Sequence, residues 1–251
     1  MDRDVKGKVV LITGSADGLG LTMVEHFLEN GAKLAIMLDV NEKQGLQSLE
    51  QVKVKFGKDR AVFFKCDVTE DLDKVYAQVL GVTKNVDVVI NNAGVLAEKD
   101  IKKTINVNVT ALMEWTMKFF DHMRKDKGGK GGTIINVSSI YGYRITALIP
   151  YYHASKFAVR GFSQSLGQEY NFKRTGVRVV TLCPGLTTTN MSKYPNVRED
   201  ETLDDLLNEI KDTEWQETKD IGRGTVEIFQ KADSGSVWLV EGGRPAEKLD
   251  F

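Results

Sequence analysis

Short runs rich in apolar and β-branched residues, at 9–13, 34–38, 61–65, 86–91, 133–137, 177–182 and 236–240, alternate with longer stretches of helical periodicity. The helical stretches fall at about 18–30, 42–56, 70–83, 101–125, 152–173 and 220–232. Most of the short runs are nearly continuous in apolar residues, as strands buried on both faces are, and a strand-helix-strand order demands crossovers between parallel neighbours. The chain therefore reads as α/β: seven parallel strands in one sheet, with helices on both faces.

Composition narrows the partners. With 251 residues and 41% hydrophobic content the chain can bury a sizeable core. Lysine and arginine number 34 against 35 acidic residues, so the net charge of −1 offers no electrostatic footprint for nucleic acid or an anionic membrane. Small neutral or apolar partners are expected instead. The charged start, Met1 to Lys8, is unlike a signal peptide and no apolar run reaches the length of a membrane span, so a cytoplasmic protein is expected. Cys66 and Cys183 end strand-like runs, where a small buried thiol is the ordinary role. His26, His122 and His153 lack metal-ligand spacing, so no metal is expected.

After the first run comes Thr13-Gly14-Ser15-Ala16-Asp17-Gly18-Leu19-Gly20, then a helical pattern. Glycines there permit a tight turn, let a pyrophosphate approach the backbone and aim the free N–H groups of a helix start at the anion. The second run is followed by Asp39, placed to accept hydrogen bonds from an adenosine ribose and to repel the extra phosphate of NADP. NAD is the expected cofactor. The alternative for Asp39 is a cap on the turn before Asn41 and Glu42.

Tyr152 and Lys156 stand four apart in Pro150-Tyr151-Tyr152-His153-Ala154-Ser155-Lys156, with Ser139 thirteen residues upstream of the tyrosine. On a helix they share a face. A free phenol has a pKa of about 10, and a fixed neighbouring cation favours its phenolate, so the pair reads as a proton acceptor for an alcohol. An exposed amphipathic helix would give the same spacing, and the other motifs decide between the two.

Together these segments resemble the short-chain dehydrogenase/reductase family over essentially the whole chain: TGSADGLG at 13–20, NNAG at 91–94, SS at 138–139, YHASK at 152–156 and PG at 184–185. Within it, LDVN at 38–41, KCDV at 65–68 and PGLTTT at 184–189 look most like the NAD-dependent 15-hydroxyprostaglandin dehydrogenase group and insect-type alcohol dehydrogenases. The resemblance implies a single doubly wound Rossmann-type domain over 1–251, strand order 3-2-1-4-5-6-7, a substrate-loop region at about 190–214, and a homodimer or homotetramer. It makes Tyr152 the general acid/base, Lys156 its modulator and a ligand of the nicotinamide ribose, and Ser139 the holder of the substrate oxygen. Asn108 would hold a relay water behind the lysine, with Asn106 the competing choice. Asp67 and Val68 fall at the adenine, Asn91, Ala93 and Gly94 at the end of the central strand beside the ribose, and Pro184, Gly185, Thr187 and Thr189 around the carboxamide. The plainer alternatives are a helix cap at Asp67, a turn residue at Asn91 and loop polar groups at the threonines.

The activity so implied is hydride transfer between NAD and a secondary alcohol or ketone; a silent cofactor-binding relative is the rival, although such relatives usually lose the tyrosine or lysine. Tyr141, Tyr143, Ile145, Leu148, Ile149, Tyr151, Met191, Tyr194 and the stretch 203–210 predict an apolar pocket, suited to a lipid-like, terpenoid or steroid skeleton. Leu148 and Ile149 stand where the prostaglandin dehydrogenases carry a polar glutamine, so weak prostaglandin oxidation is expected.

Overall fold

The computed structural model describes residues 3–193 and 195–251; Tyr194 lies outside the described residues. In chain order the elements are β1 (Val9–Thr13), α1 (Gly18–Glu29), β2 (Leu34–Asp39), α2 (Glu42–Phe56), β3 (Ala61–Lys65), α3 (Leu72–Val82), β4 (Val88–Asn91), α4 (Ile101–Ile105) and α5 (Leu112–Met123). There follow β5 (Gly132–Val137), α6 (Pro150–Leu166), α7 (Glu169–Thr175), β6 (Val177–Pro184), α8 (Asn190–Lys193), α9 (Leu203–Lys211), α10 (Thr218–Lys231), β7 (Val237–Val240) and β8 (Glu247–Leu249).

The sheet runs β3-β2-β1-β4-β5-β6-β7-β8. The first seven strands are parallel in the expected order, and the correction is an eighth strand antiparallel to β7, Leu239 pairing with Glu247. Periodicity missed it because the strand is three residues long and carries Glu247 and Lys248, as suits a blunted sheet edge.

Two apolar layers hold the sheet. On one face α1 and α10 pack together, with the Phe27 and Phe229 rings edge to face at 5.9 Å. On the other, Val75 and Val79 of α3 meet Trp115, Phe119 and Phe120 of α5. Burying one such side chain is worth roughly 1.5–3 kcal/mol. No helix among the described residues is long and apolar enough to cross a membrane.

Two expected helices are interrupted. The stretch 101–125 contains a wider π turn over Asn106–Ala111 between α4 and α5; there the Asn108 amide is tied to Val95, which favours the local expansion. The stretch 152–173 begins earlier, at Pro150, and breaks after Leu166. At the break a Cβ on Gly167 would come within 2.6 Å of the Gly235 Cα, so the close approach of the two backbones requires glycine.

Candidate active site

A cleft of about 350 Å3 opens beyond the carboxyl ends of the strands, where β1 and β4 diverge to opposite halves of the sheet. Its floor is set by β1. The Thr13 hydroxyl accepts the N–H groups of Asn92 and Ala93, each at 3.0 Å, which binds the glycine turn to the end of β4. Gly14 has φ +65°, and a Cβ there would stand 2.9 Å from the Ala93 Cα. Asp17 caps α1 by accepting the Gly18 N–H at 2.7 Å. Gly14, Asp17, Gly18 and Leu19 line the cleft, which puts the start of α1 in its wall. Gly20 is outside the lining, backed onto the Gly14 carbonyl.

Asp39, at the end of β2, also lines the cleft. Its carboxylate accepts the Ala16 N–H at 3.0 Å and the Asn41 N–H at 2.9 Å, so the capping role and the cleft position belong to one side chain. Each oxygen keeps a lone pair for another donor. The Cys66 N–H donates to the Asp39 carbonyl at 2.8 Å, which lays 66–68 alongside. Asp67 itself accepts the Thr69 N–H and hydroxyl, and the Val68 carbonyl accepts the Trp115 indole. Neither residue lines the cleft.

The Asn91 side chain is turned into the layer behind the cleft. Its amide donates to Thr116 at 3.0 Å and Asn136 at 2.9 Å, inside the layer between β4, β5 and α5, while Asn92 lines the cleft. Successive residues at a strand end face opposite ways, so only one of this pair can reach the cavity. Ala93 and Gly94 do line it.

Ser139 follows β5; Tyr152 and Lys156 lie on α6, and all three reach the cavity. Lys156 Nζ donates to the Val137 carbonyl at 3.0 Å and stands 5.5 Å from the centre of the Tyr152 ring. Burial decides their titration in the free protein. It pushes the phenol up to about 12, partly offset by a hydrogen bond from Ser139, and pulls the lysine down to about 8. The expected lowering of the phenol by the neighbouring ammonium is therefore absent here, because desolvation is the largest influence on both groups.

Asn108 is fully buried behind this group. Its amide accepts the Val95 N–H and donates to the Val95 carbonyl, each at 2.8 Å, and donates to Ser155 at 3.1 Å. It does not line the cleft. Gly94 lies between: a Cβ there would be 3.3 Å from Asn108 Oδ1 and 3.5 Å from Lys156 Nζ. Pro184, Gly185, Thr187 and Thr189 form the opposite wall. The Thr187 hydroxyl donates to the Gly185 carbonyl at 2.9 Å, and the Thr189 N–H to Ser192 Oγ at 2.9 Å. At the far end Tyr141, Ile149, Met191, Leu206 and Ile210 line the cavity as expected. Tyr143, Ile145, Leu148 and Tyr151 do not; Ile145 is 80% exposed. Leu96, Leu186 and Pro195 take their place.

The donor set fits a nicotinamide dinucleotide. A glycine turn and helix start sit at one end, an acid at the next strand, and a lysine beside a gap that a Cβ on Gly94 would fill. Sequence reasoning missed Asn92, Leu96 and Leu186; the NNAG motif marks the first, but no local pattern marks the others.

Comparison with known proteins places the chain. The family model for short chain dehydrogenases matches residues 8–200. Human 15-hydroxyprostaglandin dehydrogenase (NAD+) is 37% identical over 187 residues, covering 74% of this chain and 70% of that one. Alcohol dehydrogenase 1 of Ceratitis capitata is 28% identical over 243 residues, covering 94% and 93%. In structure the chain is similar to the NADH complex of 3-ketoacyl-(acyl-carrier-protein) reductase from Brucella melitensis, with a TM-score of 0.78 and 23% identity over 96% of this chain and 99% of that one. With the motifs in order, the sheet in its expected sequence and Ser139, Tyr152 and Lys156 brought into one cleft, the chain belongs to the short-chain dehydrogenase family.

Proposed function

We propose that this oxidoreductase uses NAD to interconvert an apolar secondary alcohol and its ketone. The observation that carries the reading is one continuous cleft in which Asp39 occupies one end, Ser139, Tyr152 and Lys156 the middle, and an apolar wall the other. The Asp39 carboxylate disfavours a 2′-phosphate by charge, and the mammalian relatives carry NAD+ in their names. On this reading Asp67 and Val68 flank the adenine end beside Asp39, and Thr187 and Thr189 flank the nicotinamide.

In oxidation Tyr152 takes the hydroxyl proton of the alcohol. Ser139 holds the substrate oxygen as its charge changes, and Lys156 keeps the phenolate accessible. Bound NAD+ supplies the hydride acceptor, and its positive charge favours the phenolate against the burial that raises it. Asn108 braces Val95 and the lysine side of the cleft, and a water held there passes the proton outward. Assembly as a homodimer or homotetramer through α5 and α6 is part of the proposal; a monomer in sedimentation at micromolar concentration counts against it.

Ile149, Leu206 and Ile210 leave the far wall mostly apolar, with the Tyr141 hydroxyl a polar group among them, so less polar alcohols are preferred. The test is NADH formation with a hydroxysteroid, a terpenoid alcohol, an aliphatic secondary alcohol and a prostaglandin, beside Tyr152→Phe. The expected result is turnover favouring the apolar alcohols, lowered about 10³-fold by Tyr152→Phe with NADH binding retained. Preference for the prostaglandin overturns the substrate reading, and NADH binding without turnover across the panel overturns the activity.

A further inference from the structure

Glu98 is fully buried in the loop after β4, with none of its surface exposed. Its Oε1 accepts the Tyr152 N–H at 2.6 Å and its Oε2 accepts the Tyr151 N–H at 3.1 Å. These donors belong to the first turn of α6, which opens on Pro150, a residue with no N–H. The His153 N–H already reaches the Ile149 carbonyl at 3.0 Å, so Tyr151 and Tyr152 carry the N–H groups of that turn that lie too early for a helical partner. A carboxylate from 54 residues away supplies the missing acceptor.

The same loop grips the segment over the cavity. The Glu98 N–H donates to the Asn196 carbonyl and the Lys99 N–H to Asn196 Oδ1, both at 3.3 Å, while Lys99 pairs with Asp200 at 2.5 Å. Pro195 of that segment lines the cleft, and Val197 is buried against Tyr152 and Leu206.

We propose that Glu98 is a positioning residue for Tyr152: it fixes the first turn of α6, and with it the phenol, to the loop that also holds the wall of the substrate cavity. This rests on the reading of Tyr152 as the acid/base. The carboxylate suits the task because both its oxygens accept; a glutamine offers one acceptor and turns a donor toward the other N–H. Aspartate keeps both acceptors on a stem one methylene shorter.

The experiment compares Glu98→Gln, Glu98→Asp and Tyr152→Phe in the full chain, using the alcohol best oxidised in the panel above. Glu98→Gln is expected to lower kcat at least tenfold while the NADH dissociation constant stays within twofold, and Glu98→Asp to recover most of the loss. A substrate-free arm follows deuterium exchange in a peptide spanning 150–155. One of the Tyr151 and Tyr152 amides, the one left facing the glutamine NH2, should exchange at least tenfold faster in Glu98→Gln, and both at the original rate in Tyr152→Phe. Unchanged exchange in Glu98→Gln, a kcat above half the original, or a loss of NADH binding in step with kcat overturns the proposal. If Tyr152→Phe is inactive while Glu98→Gln is unaffected, the assignment of Glu98 alone falls. If Tyr152→Phe stays active, the reading of the site falls and the proposal with it.

Discussion

The two ends of the cleft are built differently. The end at Asp39 is made of backbone turns at the tips of β1, β2 and β4, each closed by a neighbour on the sheet, as when Thr13 holds Asn92 and Ala93 or Asp39 holds Ala16. The end at Leu206 is made of segments from far apart in the chain, joined by a few scattered links: Thr146 to Glu209 at 2.6 Å, Lys99 to Asp200 and the Glu98 N–H to the Asn196 carbonyl at 3.3 Å. A sheet fixes its turns through many cooperative hydrogen bonds, whereas exposed links contribute little each. On the proposed function the first end is the one suited to a fixed cofactor and the second to admitting and releasing substrate.

Lys156 sits where the ends meet, and the largest effect is expected there. Its folded pKa of about 8 lies below its ordinary 10.5, so between those values the unfolded chain binds the extra proton and stability rises with pH. The full effect is on the order of 3 kcal/mol. Above pH 10 the raised phenol of Tyr152 acts in the opposite sense, since the unfolded tyrosine loses its proton first. Denaturant unfolding of the free protein at pH 7.5 and pH 10 should show the rise, and Lys156→Met should lack it. An equal rise in the variant would place the buried charge elsewhere.

Asp39→Ser should weaken NAD+ binding about 10- to 100-fold, the worth of hydrogen bonds to a charged group, and narrow the preference over NADP+. The alcohol KM measured at saturating cofactor should stay put. Movement of both constants together would mean that the two ends are one coupled unit.

The smallest effect belongs to the far wall. Thr146→Val removes the hydroxyl that donates to Glu209 while keeping the side chain's shape, and Glu209, being exposed, regains water. A loss of about 1 kcal/mol is expected, seen as a several-fold higher alcohol KM with unchanged NADH affinity. Turnover unaltered in both constants would show that this link does not hold α9 over the cavity.

The contrast also accounts for what could be read before folding. Gly14, Gly18, Asp39, Tyr152 and Lys156 were legible because a turn after a strand, an acid at a strand end and a spacing of four on a helix are local patterns, while the order of the seven strands came from the family resemblance. Asn91 and Asn92 were not separable, since two adjacent asparagines look alike until the pleat turns one toward Thr116 and the other toward the cleft. The π turn at Asn106–Ala111 was hidden for a similar reason: it holds Asn108 against Val95, thirteen residues back, a contact that no local pattern records.

Sequence by itself determined the family, the fold class and which residues meet in the middle of the cleft, because those follow from motifs and short-range spacing. Tertiary structure alone decided the rest. It set which apolar residues wall the substrate end, which way burial drives the Tyr152 and Lys156 protons, and that Glu98 closes the first turn of α6. Each of these depends on which distant groups are brought together away from water, and no period or motif along the chain records that.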